Sequence, residues 1–349
     1  VCRQSAITDG DTWRQDMDDR KEMTLDEFYK EWNSALSTVI VNTSGSTGKP
    51  KSMRVEKSRM IESAKMTCSF LGLTSDDSAL LCMPLRYIAG KMVVVRTLVS
   101  GMRLISIPPT SHPLKDLEDI PTFAAMVPMQ VFNSLSVPEE ADKLKRIKNL
   151  IIGGGPVNDL LYSKLQHFPN AVWSTYGMTE TLSHIAMRRL NGPTASEYYI
   201  PLDGIHLSVN EMGCLCIDAP KICPEVLQTN DIVKFDSEGH RFKVLGRIDN
   251  VIISGGVKIH IEEVEKMLEP IIAPPFAITK KSDKKFGEIV VMVVQGSFTE
   301  ADLSNIREQI EATLPMYWQP KRYVVIDKIP MTATGKIARS ALQDIVEKM

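Results

Sequence analysis

Apolar runs and helical stripes alternate along most of this chain, and the change of period marks its elements. Val39-Ile40-Val41 reads as a buried strand. Ile61, Ala64, Cys68 and Leu71 then recur at helical spacing, and Gly72 closes that helix. The apolar runs Met92 to Val95, Leu104 to Ile107 and Phe123 to Val127 follow as further strand candidates, and Leu150-Ile151-Ile152 is another. Valine-rich runs alternating with helical patterns predict an α/β fold with a largely buried sheet. From Ile205 to Leu245 the runs are short and separated by turn residues, which predicts a small antiparallel β unit. Beyond it, Ile261, Val264 and Leu268 form a helix stripe and Ile289 to Val294 a strand. Leu303, Ile306, Ile310 and Leu314 form another stripe, and Tyr323 to Ile326 a last strand, together a compact α+β unit. The first 38 residues are polar, except that Thr24 to Trp32 reads as a short amphipathic helix capped by Thr24 with Glu27 three residues on. No chemistry is evident there.

The expected organisation is therefore a polar segment (1–38), a large α/β domain (39–248) and a small C-terminal α+β domain (249–349). Composition adds little to this. The 349 residues carry a net charge of −2, so no global field draws the chain to nucleic acid or an anionic membrane. No apolar stretch approaches the ~20 residues of a membrane span, and no signal peptide is evident. A cytoplasmic protein is expected, with a native start upstream of Val1 allowed for. Cys2, Cys68, Cys82, Cys214, Cys216 and Cys223 are scattered in mostly apolar surroundings, as expected of small buried thiols rather than of a metal site.

Several turns between these elements have the composition of ligand sites. Thr43-Ser44-Gly45-Ser46-Thr47-Gly48-Lys49-Pro50-Lys51 combines hydroxyls, glycines and lysines, a loop suited to phosphate. It is not a Walker loop, which needs four residues between its first glycine and its Gly-Lys pair; here two lie between Gly45 and Gly48. A flexible Gly/Ser linker has a similar composition. Gly153-Gly154-Gly155-Pro156 ends a strand, but Asn158 stands where a dinucleotide fingerprint needs its third glycine. In Ser174-Thr175-Tyr176-Gly177-Met178-Thr179-Glu180, Tyr176 can pack beside a purine and Thr179 can meet an α-phosphate. Glu180 offers the oxygen that Mg²⁺ prefers.

Taken in order, these stretches resemble the acyl-adenylate-forming enzymes, a family of acyl-CoA synthetases, peptide-synthetase adenylation domains and luciferase. The phosphate loop, the glycine turn and Tyr-Gly-x-Thr-Glu are followed by Gln228-Thr229-Asn230-Asp231, similar to the family's Thr-Gly-Asp with Asn230 in the glycine's place. Asn tolerates unusual backbone angles better than most residues, so the replacement reads as mild. Gly246-Arg247-Ile248-Asp249 resembles the hinge signature, and Thr332 to Arg339 the motif that carries a mobile lysine, here Lys336.

The resemblance implies two-step ligation. A small carboxylic acid attacks the α-phosphate of ATP, giving acyl-adenylate and pyrophosphate; coenzyme A then takes the acyl group and AMP leaves. The phosphate loop and Gly153 to Pro156 would bind ATP with Ser174 to Met178, Asp231 and Arg247. Thr179, Glu180 and Lys336 would be catalytic, with Glu180 on Mg²⁺. The small domain would pivot at Asp249 and present Gly255 and Gly256 to coenzyme A.

The chain departs from the family in two ways. The segment before the phosphate loop is short, so a large domain trimmed at its front is expected. At the acyl pocket Tyr87 stands where a histidine often follows an aromatic residue, in Arg86-Tyr87-Ile88-Ala89-Gly90-Lys91. That stretch, with Ser183-His184, resembles the 2-succinylbenzoate–CoA ligases of menaquinone synthesis. Their substrate has two carboxylates, and Arg86, Lys91 or Arg96 would neutralise the one that does not react. Another aryl or acyl acid, a carrier-protein acceptor, and a non-catalytic nucleotide-binding protein remain as alternatives. A homodimer stays open.

Overall fold

The computed structural model describes residues 22–42, 52–273, 275–332 and 336–349. Its centre is a seven-stranded sheet in the order Arg103–Ser106, Ser78–Leu81, Phe123–Met126, Asn149–Ile152, Ala171–Gly177, His184–Arg189, Ile200–Pro201. The first five strands are parallel and the last two antiparallel. Alternate residues serve opposite faces. Ala79, Leu81, Phe123, Ala125 and Ile151 join the core beneath the helices Lys57–Leu71 and Ile88–Ser100. Leu80, Ala124, Met126, Leu150 and Ile152 join the other, with Val131, Leu144, Leu161 and Leu165 from the helices of that face. A parallel sheet covered on both sides accounts for the uninterrupted apolar runs.

Two readings from the pattern are corrected. Met92 to Val95 is no strand; it is the middle of the helix Ile88–Ser100 and wholly buried. A helix that is apolar all round loses its 3.6-residue signature, and four β-branched or long apolar residues then mimic a strand. Val39-Ile40-Val41 is a strand but not a fully buried one. Thr38–Asn42 pairs antiparallel with Ser52–Glu56 in a separate two-stranded ribbon, with Val39 and Val41 inward and Ile40 outward. The phosphate-loop residues 43–51 lie outside the described residues, but their flanks are fixed. They join two strands of one ribbon, and the helix follows the second strand. Residues 43–51 were expected between a strand and a helix.

The predicted β unit is a four-stranded antiparallel sheet of His206–Val209, Cys214–Asp218, Leu227–Phe235 and Phe242–Arg247. Its Leu215, Ile217 and Phe242 belong to the first core. A one-turn 3-10 helix, Ile248–Asn250, then leads into a five-stranded sheet with cores of its own. Ile261, Val264, Leu268, Ile306 and Ile310 pack on one face, and Leu342 and Val346 of the last helix on the other.

The helix Leu25–Asn33 has the expected capping box, Thr24 accepting from the Glu27 amide while Glu27 accepts from that of Thr24. It is also anchored. Phe28 is fully buried, worth about 2 kcal/mol of apolar transfer. Glu31 reaches Lys91 at 2.8 Å. Among the described residues no helix is long and apolar enough to cross a membrane.

Candidate functional site

Gly153 to Pro156 and Ser174 to Glu180 lie at the carboxyl ends of neighbouring parallel strands, where open α/β sheets place their ligands. Asn149–Ile152 and Ala171–Gly177 are neighbours with Ile152 opposite Ser174. The turn Gly153 to Pro156 therefore emerges beside Ser174 to Met178. The fit is close. A side chain at Gly153 would collide with the Thr175 hydroxyl, and Gly154 has a φ of 79°. Ser174 is buried, its hydroxyl 2.9 Å from that of Tyr199.

Gly177 touches the next strand. A Cβ there would meet the Ser183 carbonyl and His184 Cα, so this strand end tolerates only glycine. The 3-10 turn Thr179–Thr181 is tied down by Thr181, whose hydroxyl accepts from the Met178 amide at 3.0 Å and donates to Ser183 O at 2.7 Å. Leu182 follows with a φ of 65°, the sole positive φ of a non-glycine residue among those described. This turn leaves Glu180 exposed, with no ion pair or hydrogen bond among the described residues.

A polar chain extends from Tyr176. Its hydroxyl donates to Asp231 Oδ2 at 2.5 Å, and burial and the Asp231 charge push its ionisation far up. Asp231 and Arg247 face each other across paired strands, with the guanidinium 3.3 Å from Asp231 Oδ1. Arg247 also donates to Asp249 Oδ2 at 2.7 Å. Lys336 comes near the same carboxylate. Burial lowers its pKa, the Asp231 charge opposes that, and Arg247 adds to it. Of the lysine's motif, residues 333–335 lie outside the described residues. The structure thus brings Tyr176, Asp231 and Arg247 together from two sheets, with Lys336 of the C-terminal unit near enough to feel the charges of Asp231 and Arg247.

The three cations expected near the acyl group have different fates. Lys91 is fully buried but committed to the N-terminal helix. It pairs with Glu31, lies 3.3 Å from Met23 Sδ and stands over the Phe28 ring. Of the three candidate cations, Lys91 is thus the one with a carboxylate partner among the described residues. Arg86 lies over the Tyr87 ring at 4.8 Å, and Tyr87 bridges to Asn42 at the edge of the phosphate loop. Arg96 is the buried guanidinium. Its Nη2 donates to Ser183 Oγ at 2.5 Å, its Nε has no partner, and burial pulls its pKa down to about 10. His184 stands beside it, Nε2 3.0 Å from Thr67 Oγ1 and Nδ1 3.4 Å from Ser183 Oγ. Burial, then the Arg96 charge, depress its pKa well below normal, so the ring is neutral. Gly90 packs against the Pro84 carbonyl, and Ala89 is exposed at the same helix start.

One polar partner, that of His184, escaped the sequence. Thr67 sits on an ordinary helix face, and nothing in its neighbours marks it. Asn230, which was marked, donates to both oxygens of Asp249 at 3.0 and 3.1 Å.

Residues 3–213 match the family described as AMP-binding enzyme. The chain belongs to that family. The chain spans about 70% of the length of the 2-succinylbenzoate–CoA ligases it matches. A 2-succinylbenzoate–CoA ligase of Enterococcus faecalis is 28% identical over 352 residues, spanning 92% of this chain and 72% of that protein. An AMP-forming acyl-CoA synthetase-like protein of Dyadobacter fermentans, of known structure, is 35% identical. It covers 90% of this chain and 91% of its own, with a TM-score of 0.62. O-succinylbenzoate coenzyme A synthetase of Bacillus subtilis, solved with ATP and magnesium, shares the fold at 24% identity and a TM-score of 0.70. It covers 87% of this chain and 69% of its own. The expected AMP-forming ligase and its α/β fold stand.

Proposed function

We propose that this AMP-binding enzyme joins 2-succinylbenzoate to coenzyme A, at the expense of ATP. The supporting observation is Arg96, a buried guanidinium with an unpaired Nε and no carboxylate partner among the described residues. A buried cation without a counter-ion is costly unless a ligand supplies the charge. Ser183, its partner, abuts Gly177 of the nucleotide motif, so an acid held by Arg96 has its other end directed toward the adenylate. Neutral His184 adds a polar wall without a second charge. Relatives named for this activity support the same reading.

Residues 43–51 and the turn Gly153 to Pro156 hold ATP, Tyr176 flanks the base, and Asp231 accepts from the ribose hydroxyls. Thr179 meets the α-phosphate. The carboxylate oxygen of the acid then attacks that phosphorus as pyrophosphate leaves, with Lys336 offsetting the charge that develops. Positioning carries much of the rate. Among the described residues no cluster of three His, Cys, Asp or Glu could hold a metal. A lone free carboxylate such as Glu180 does fit Mg²⁺ bound mainly by substrate phosphates. Bound there, the ion would neutralise phosphate charge.

For the second step, the domains 39–248 and 249–349 turn about Asp249. Gly255 and Gly256, in a turn with φ of 58° and 86°, then face the pantetheine arm. The coenzyme A thiol attacks the acyl carbon and AMP leaves. We place the reaction in the cytoplasm, where Cys68, Cys82, Cys214, Cys216 and Cys223 remain thiols. AMP release is measured with 2-succinylbenzoate, benzoate, a fatty acid and an amino acid in turn. Strong preference for 2-succinylbenzoate supports the assignment, and equal use of benzoate overturns it.

A further inference from the structure

Asn230 replaces the glycine of the Thr-Gly-Asp pattern, and backbone conformation does not explain it. It lies inside the strand Leu227–Phe235, and its φ is not positive. The expected advantage of Asn, tolerance of left-handed angles, is unused. Its side chain has a partner instead: Nδ2 lies 3.1 Å from Asp249 Oδ1 and 3.0 Å from Oδ2. Arg247 holds the same carboxylate from the neighbouring strand. Burial, the largest influence on Asp249, works against its charge, yet the hydrogen bonds from Arg247 and Asn230 outweigh it and keep its pKa below normal.

The donors sit on the four-stranded sheet, whereas Asp249 sits in the 3-10 turn that leads to the next sheet. The chain of contacts is continuous from Tyr176 through Asp231, Arg247 and Asp249 to Asn230. In this arrangement Lys336 is close enough to Asp231 and Arg247 to feel both charges. We propose that Asn230 is a positioning residue, a clamp on the Asp249 pivot that holds the small domain where Lys336 faces the nucleotide. Glycine cannot make this contact. The clamp rests on the two-step reading above, and it biases the enzyme toward adenylate formation, since the pivot turns only when the Asn230 bonds break.

Asn230→Gly restores the common pattern, and because Asn230 is exposed the fold should survive. Adenylation is read as exchange of pyrophosphate into ATP, and thioester formation as single turnover from isolated acyl-adenylate. Expected is a loss of adenylation of about 10- to 100-fold, the scale of a hydrogen bond to a charged group, with thioester formation equal or faster. Amide exchange is measured on the same protein without substrate. It should quicken at Ile248 to Val251 and stay unchanged in the core strand Val290 to Val294. Equal loss in both half-reactions, or unchanged exchange at Ile248 to Val251, overturns the clamp. If wild-type protein turns over none of the acids, the functional reading fails while the exchange result still decides the clamp.

Discussion

The phenol of Tyr176 donates to the Asp231 carboxylate across 2.5 Å, tying the central seven-stranded sheet to the four-stranded one. The bond orients an acceptor that would otherwise be held only through Arg247. Tyr176→Phe should raise the KM for ATP about 3- to 10-fold with a smaller change in kcat, read by pyrophosphate exchange. The phenol also titrates late. Up to about pH 10 it is protonated in both folded and unfolded chains; above that the unfolded chain ionises first. Its contribution, present at neutral pH, is therefore lost as pH rises. Ultraviolet titration of the folded protein should therefore show the same number of ionising tyrosines in wild type and Tyr176→Phe, and one more in the wild type would mean that Tyr176 titrates normally.

Arg96 separates activity from stability. A buried charge replaced by an apolar side chain of similar length is often neutral or stabilising. Arg96→Met should therefore keep or raise the melting temperature while raising the KM for 2-succinylbenzoate on the order of 100-fold, about the worth of one charge-assisted pair. A fall in stability with unchanged KM would make Arg96 structural.

Lys91 and Glu31 give the opposite pattern. The ammonium is 1% exposed and its partner 20%. Removing one member strands the other, so Glu31→Ala should cost about 3–5 kcal/mol in urea denaturation. Lys91→Met should cost less. KM for the acid should move little in either, because neither charge serves the substrate.

Lys336 predicts a pH limit. Burial lowers its pKa, and in the proposed mechanism adenylation uses the ammonium that exists only below that value. Adenylation should fall as pH rises, at a pH under the ~10.4 of an ordinary lysine. Lys336→Ala should abolish most adenylation at every pH. Lys336→Arg should keep part of it and lose the alkaline fall. A wild-type pH profile of pyrophosphate exchange with the same alkaline limb as Lys336→Arg would contradict the assignment.

The motifs are legible because each depends on residues adjacent in sequence. A glycine turn after a strand, or Tyr-Gly-x-Thr-Glu, carries its geometry locally, and the structure sets Gly153 beside Thr175 as that geometry requires. The fate of the cations is different. Arg86, Lys91 and Arg96 lie on one short stretch, and nothing local separates them. That Lys91 is bound by Glu31 and Arg96 by Ser183 follows from elements far away in the chain, whereas Arg86 stacks on its own neighbour Tyr87.

The sequence by itself determined the class of fold, the order of the nucleotide motifs and the capping of the first helix, because periodicity and turn chemistry are short-range. Only the tertiary structure decided that Met92 to Val95 is a helix, since burial on all sides erases the pattern that would distinguish it. Only it decided that Asn230 reaches Asp249, a contact across 19 positions. Long-range packing fixes which polar groups meet, and a side chain's partner, rather than its type, sets what it does.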